Sequence, residues 1–437
     1  MKINIITLGC SKNNVDSEVL AASLQRKGHT VWHNSTKEHG IDTVIINTCA
    51  FIQDAKQQAI DEILLQAERK KHGLIKKLYV VGCLAQRYED DLRASVPEID
   101  GVYPFVRLNE LIGDEDFDLL GSSDRILSTP PYYAYLKISE GCDRQCSYCA
   151  IPLIRGPHRS VPMETLVYEA EDLAAPGVRE LVIIAQDTTY YGLDLYKKRS
   201  LAELLRRLSA VEGIEWLRIH YSYPADFPED VLDEMANNPK VCRYMDIPLQ
   251  HIADPVLDKM HRHVDGAWTR ELIRRMREKV PGVVLRTTMI VGHPGETPYA
   301  FRQLLDFVEE ARFERLGAFA YSEEEGTYGA GHFSDTVTPR TKKMRLSRLM
   351  ELQRGISLAY NLSRVGTEVR VLADDFVDGI FVCRSEFESP EVDGEILVKY
   401  EPDRFGGVEP YSLVGSFFRV KVVSADEYDL TAELVEL

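Results

Sequence analysis

Between residues 133 and 322 the chain alternates six times between a short β-branched-rich run and a stretch of helical period. The runs are "YAYLKISEGC" (133–142), "RELVIIAQD" (179–187), "EWLRIHYSYP" (215–224), "RYMDIPLQH" (243–251), "VVLRTTMIVG" (283–292) and "RLGAFAYS" (315–322). Helical stretches between them include 162–174, 200–210, 226–238, 254–280 and 297–312. Parallel strands need crossover connections, so this alternation predicts a parallel sheet. Eight such units would close a full barrel. Six predict an open (β/α)6 partial barrel with a wide lateral mouth, followed by a long helix over 339–362.

The first hundred residues also alternate. "KINIITLGC", "DTVIINTC" and "KLYVVGC" predict parallel strands, with helices at 15–28 and 51–71. Each run ends in a cysteine: Cys10, Cys49 and Cys83. In a parallel sheet the carboxyl ends share one edge, which is where open α/β sheets bind ligands. Cysteine is a common core residue, so one such placement would mean little; three in register mean more. Residues 102–130, with "SSDRILSTPPYY", read as a connector. From 364 onward short strands alternate with turns such as "VDG", which predicts a small all-β barrel.

The 437 residues predict two or three domains. No apolar run reaches the roughly 18 residues that span a membrane, and the start lacks a secretory leader's core and cleavage site. A cytoplasmic protein without a membrane partner is expected, and there eight cysteines read as metal-binding or catalytic rather than disulfide-bonded. The net charge is −17. Nucleic-acid binders usually carry a basic surface, so tRNA is disfavoured as a partner. Residues 364–437 carry seven Lys and Arg against seventeen Asp and Glu, a net −10.

"GCDRQCSYC" (141–149) places Cys142, Cys146 and Cys149 at spacing C-x3-C-x2-C just past the first barrel strand. Active sites of such barrels form at strand carboxyl ends, and thiolates suit zinc or iron–sulfur clusters. Structural zinc wants four ligands; His158 could supply the fourth. In a 4Fe–4S cluster three cysteines leave one iron open, and an open position is a place to bind substrate. At other strand ends stand Gln186, Gln250 and "VGHPGE" (291–296), whose Gly292 would let a ligand approach the backbone. Each could also be a plain strand cap or turn.

The cysteine spacing resembles the signature of the radical S-adenosylmethionine enzymes. That resemblance implies that the open iron binds the amino and carboxylate groups of S-adenosylmethionine, that Tyr148 lends its backbone to the adenine, and that "VGHPGE" lies nearby. The whole chain resembles the methylthiotransferase family of that superfamily. The implied architecture is an N-terminal domain over 1–118, a radical core over 128–363 and a TRAM barrel over 364–437. Two 4Fe–4S clusters are implied, one on Cys142, Cys146 and Cys149 and a second on Cys10, Cys49 and Cys83, with S-adenosylmethionine as methyl donor and radical source. An electron donor such as flavodoxin or ferredoxin is implied as well.

"TLGCSKNNVDSE", "IAQDTTYYG", "YMDIPLQH" and "RTTMIVGHPGET" are similar to the branch that methylthiolates the β-carbon of an aspartate in the twelfth protein of the small ribosomal subunit, free or within the ribosome. The alternative branch acts on a tRNA adenosine. A C-terminal barrel at net −10 suits a basic ribosomal protein better, with Asp374, Asp375 and Asp378 as candidates for the docking face. Two residues depart from the family pattern: His293 stands where an aromatic such as Phe is expected, and Val161 where Arg is expected. Cys242 and Cys383 match no metal spacing and read as buried structural residues. His261, Arg262 and His263 read as a solvated cationic face on a helix.

Overall fold

The structure, a computed structural model, describes residues 1–36 and 40–437. Five parallel strands open the chain: β1 (Lys2–Thr7), β2 (Thr30–His33), β3 (Thr43–Thr48), β4 (Lys77–Gly82) and β5 (Gly101–Tyr103), in the order β2-β1-β3-β4-β5. β3 is buried along its whole length because helices cover both sheet faces. Ile45 packs with Leu20 and Leu24 of the helix Ser11–Arg26. Val44 and Ile46 point the other way, toward Ile63 and Ala67 of the helix Gln53–Lys71. Strand alternation sends successive residues to opposite faces. β5 and a short helix, Leu108–Ile112, occupy the start of the expected connector.

The second domain holds β6 (Tyr133–Lys137), the small antiparallel pair β7 (Ser139–Glu140) and β8 (Arg159–Ser160), then β9 (Glu180–Ile184), β10 (Trp216–Ile219), β11 (Val241–Asp246), β12 (Val284–Val291) and β13 (Arg315–Ala320). The six-stranded parallel sheet runs β13-β12-β11-β10-β9-β6 and does not close on itself. The helix Pro339–Ser363 packs on β13 at one edge, and Ser11–Arg26 of the first domain packs on β6 at the other. The expected helix 254–280 is broken into Asp254–Lys259 and Gly266–Lys279. No helix among the described residues is long and apolar enough to cross a membrane.

The last domain is a closed barrel of β14 (Glu368–Val377), β15 (Ile380–Arg384), β16 (Ile396–Lys399), β17 (Phe417–Ala425) and β18 (Leu430–Glu436), in the order β14-β15-β16-β18-β17. Phe381, Phe405 and Phe418 fill it, with Cys383 buried among them. Cys242 is buried in the interior of the large sheet.

The loop 385–393 of this barrel closes the floor of the large sheet from its amino ends. Glu391 accepts the hydroxyls of Tyr133 and Tyr135, each at 2.9 Å. Asp393 accepts from Tyr244 at 2.7 Å. Ser389 Oγ lies 2.8 Å from His220 Nε2. Arg218 donates to the Glu386 and Ser385 carbonyls, while Glu180 takes Arg218 and Arg384 at 2.7 Å each. Arg384 also grips Asp374 at 2.5 Å. Asp374 therefore does not belong to an exposed docking face. Its carboxylate is paired with Arg384 of the same barrel, while Glu388, Glu391 and Asp393 bind the barrel to the core, so the −10 overstates the acidity left for a partner. Asp375 and Asp378 are exposed.

Candidate functional site

Cys10, Cys49 and Cys83 follow β1, β3 and β4, three adjacent strands, at their carboxyl ends. Cys10 caps the helix Ser11–Arg26, and Cys83 opens the helix Cys83–Arg87. Gly9 lets the first two approach: its φ is +102°, and a Cβ there would sit 2.7 Å from Cys49 Cβ. Asn13 organises all three turns. Its Nδ2 donates to the carbonyls of Leu8 (2.8 Å) and Thr48 (3.0 Å), and its Oδ1 lies 3.8 Å from Cys83 Sγ. Burial pushes the Cys49 thiol up and the Cys83 thiol to about 12, with Arg155 acting against it. Without bound metal these two stay thiols; metal binding would release their protons.

Cys142, Cys146 and Cys149 lie on the loop between β7 and the helix Ile151–Arg155, each partly exposed. The loop is pinned by Cys142 N–H to the Gly156 carbonyl (3.0 Å), Ser147 N–H to Met260 (3.1 Å) and Gly329 N–H to Ser147 (2.6 Å). Burial raises the Cys142 thiol to about 12 and raises Cys149 as well.

Arg262 is buried beside this loop, which overturns the solvated helical face expected at 261–263. It donates to Cys146 Sγ (3.5 Å), Tyr148 Oη (3.4 Å) and the Pro248 carbonyl (2.5 Å). His261 and His263 take φ of 55° and 57°, so the chain is not helical there. Asp265-Gly266 carried the signal: Asp265 caps a new helix by accepting from Trp268 N–H at 2.7 Å. Arg144 also packs on Tyr223. The two guanidiniums lie 4.1 and 4.2 Å from that ring's centroid. Arg262 thus meets the cysteine loop from outside, and Arg144 lies within it.

His158 does not join the cysteines: its Nε2 lies 2.9 Å from Ser160 Oγ and its ring packs on Tyr190. The zinc reading loses its fourth ligand. Among the described residues no three His, Cys, Asp or Glu converge on a single metal ion.

Gln186 donates to Glu140 at 2.6 Å. Gln250 is buried with φ of 73°. Gly292 does not open a path for a ligand. Its N–H goes to Glu296 at 2.5 Å, and the space of its missing Cβ is taken by Lys342, whose Cγ would be 2.4 Å away. His293 packs where an aromatic was expected, edge-on to Tyr321 and Tyr148. Burial lowers it to about 4, so it is neutral.

Unpaired buried polar atoms gather at these strand ends: Ser139 Oγ, Ser147 Oγ, Gln186 Oε1, Gln250 Oε1, Arg144 Nη2 and Arg262 Nε. Buried polar atoms normally find partners. A polar ligand bearing amino, carboxylate and hydroxyl groups would supply them, which fits S-adenosylmethionine. Two separate sets of three thiols fit iron–sulfur clusters.

The two sets are joined by one buried network. Lys137 pairs with Asp16 (2.5 Å) and Glu140 (2.9 Å), and Arg155 with Asp16 (2.6 Å) and Glu140 (3.1 Å). Burial works to raise the Glu140 carboxyl, but Arg155 and Lys137 hold it at about 2.

Comparison with known proteins agrees with this layout. The Radical SAM superfamily matches residues 136–308, the uncharacterized protein family UPF0004 residues 2–104 and the TRAM domain residues 365–435. The ribosomal protein uS12 methylthiotransferase RimO of Phocaeicola vulgatus is 48% identical over 435 residues, covering 99% of both chains. That of Cytophaga hutchinsonii is 48% identical over 439 residues, covering 100% of this chain and 98% of its own. Among solved structures, the radical S-adenosylmethionine methyltransferase TsrM of Kitasatospora setae matches with a TM-score of 0.55 at 16% identity, over 75% of this chain and 77% of its own. That likeness speaks to the fold alone. Near-half identity from end to end, through all three domains in order, places this chain in the RimO family of methylthiotransferases, within the radical S-adenosylmethionine superfamily.

Proposed function

We propose that this chain methylthiolates ribosomal protein uS12, at the β-carbon of an aspartate. The observation that carries the reading is full-length similarity to RimO proteins together with two three-cysteine sites joined by one buried network. In this reading Cys142, Cys146 and Cys149 hold the radical-site 4Fe–4S cluster, and Cys10, Cys49 and Cys83 the auxiliary one. Tyr148, Gln186 and Gln250 contact S-adenosylmethionine, and Gly292 shapes the loop beside it by admitting Lys342. The domains divide at 1–118, 128–363 and 364–437. The setting is cytoplasmic, the substrate free or ribosome-bound, and the electron donor a flavodoxin- or ferredoxin-type protein.

When bound, the clusters and S-adenosylmethionine supply the electron, the radical and the methyl group. The chain's own residues do the rest. Arg262 fixes Cys146 and Tyr148 relative to the end of β11 through the Pro248 carbonyl. Asp187 accepts from Arg144 at 2.9 Å and so anchors the cysteine loop to the end of β9. The loop 385–393 covers the sheet interior from below through Glu391 and Asp393, on the side away from the cysteines.

The test uses the anaerobically reconstituted chain with S-adenosylmethionine, a reductant and either uS12 or tRNA. The expected product is uS12 heavier by one SCH2 unit, with tRNA nucleosides unchanged. Single Cys142→Ala, Cys146→Ala or Cys149→Ala variants should form no deoxyadenosine. Methylthiolated tRNA with unmodified uS12 would reassign the substrate.

A further inference from the structure

Arg155 belongs to the radical-site loop by sequence, six residues after Cys149, yet its side chain enters the other domain. Its Nη2 donates to Asn13 Oδ1 at 2.5 Å and lies 3.6 Å from Cys83 Sγ. Its Nη1 donates to Asp16 at 2.6 Å and Glu140 at 3.1 Å. The guanidinium carbon sits 3.9 Å from the centroid of the Phe105 ring. The side chain is almost wholly buried, at 3% exposure. Asn13, its partner, is the residue that ties the turns of Cys10 and Cys49 together.

We propose that Arg155 is a positioning residue through which the radical-site loop fixes the N-terminal cysteine triad and sets its electrostatic environment. The inference rests on the reading of Cys10, Cys49 and Cys83 as cluster ligands. The geometry gives two effects. The planar fork holds Asn13, Asp16 and Glu140 in one arrangement, so the auxiliary triad cannot shift without moving the segment that begins at Cys142. A guanidinium suits this task because its donors are fixed in one plane and its charge is permanent. The second effect is Coulombic. A cation in hydrogen-bond range of a ligand sulfur, shielded from water, favours the more negative state of whatever those sulfurs hold. Asp16 and Glu140 are already answered by Lys137, which reaches both. Arg155 is therefore the cation of this network that acts on Cys83. The radical site has its own pair, Arg144 and Arg262, and Arg155 makes no hydrogen bond to its cysteines.

The test is potentiometry of the auxiliary cluster alone. In a full-length parent carrying Cys142→Ala, Cys146→Ala and Cys149→Ala, the remaining cluster is reconstituted and its midpoint potential is followed by electron paramagnetic resonance. Adding Arg155→Gln should lower the reduction equilibrium at least tenfold, which is about 59 mV for one electron. Arg155→Lys, which restores charge without the fork, should recover more than half of that shift. An unmoved midpoint in Arg155→Gln would overturn the proposal. If Arg155→Gln cannot hold iron, Arg155→Lys and the Tm decide: iron and potential regained in Arg155→Lys support the role of charge, iron lost in both at an unchanged Tm supports the hold of the fork on the triad, and iron lost in both with a collapsed Tm overturns a specific role. A parent that holds no iron at all would instead remove the ligand assignment of Cys10, Cys49 and Cys83. Two separate failures are thus told apart by iron content and potential, without any turnover measurement.

Discussion

At Cys83, Cys142 and Cys149 burial keeps each thiol protonated, so cluster binding and proton release are one event. The two triads should be separable by mutation because they sit on different loops. Changing Cys10, Cys49 and Cys83 together to Ala should halve iron content, since one of two four-iron clusters would remain. Deoxyadenosine formation should survive while methylthio transfer is lost. Unchanged iron would return these residues to ordinary core. Gly292 is under a different constraint, with φ of 77° and Lys342 filling its open side. Gly292→Ala should destabilise the chain by about 1–3 kcal/mol, read as a lower Tm.

The loop 385–393 carries a buried carboxylate, Glu388. Burial works to raise the Glu388 carboxyl, but Arg364 and Arg315 more than offset it and hold it at about 2. A carboxylate depressed on folding stabilises the fold above its ordinary value of 4.5, and that stability is lost as pH falls toward 2. The contribution at neutral pH is on the order of 3 kcal/mol. Glu388→Gln should be less stable than the parent at about pH 6, and its stability to urea should fall less steeply toward about pH 3. The long, periodic elements were legible in sequence: the six barrel strands, the helix Pro339–Ser363 and the three cysteine-ending runs all stand close to where they were expected. β2 and β5, of four and three residues, are too short to show a period; β2 was not anticipated, and β5 runs into the stretch read as a connector. Cys142 could be read from local spacing. Arg262 could not, because its partner Cys146 is 116 residues away and nothing local marks a buried arginine. The same holds for Asp374, whose acidity suggested solvent and whose partner Arg384 is supplied by the next strand.

On the scale of the whole molecule the C-terminal barrel is a structural floor. Removing 364–437 would strip Arg315 of Glu388 and Glu180 of Arg384, and would uncover Tyr133, Trp216 and Tyr244. Breaking a buried ion pair costs about 3–5 kcal/mol, against a typical total stability of about 5–15 kcal/mol. The truncated chain should therefore appear in the insoluble fraction and hold neither cluster, as read by iron analysis. A soluble truncated chain with full iron would contradict it. The arrangement also sets an order in time. The floor of the radical barrel is supplied by residues 385–393, and its partners begin at Tyr133, more than two hundred residues earlier. Contacts so distant in sequence form late. A nascent chain therefore carries a barrel open from below until residues 385–393 have emerged, and iron delivered before that moment meets a core not yet closed to water.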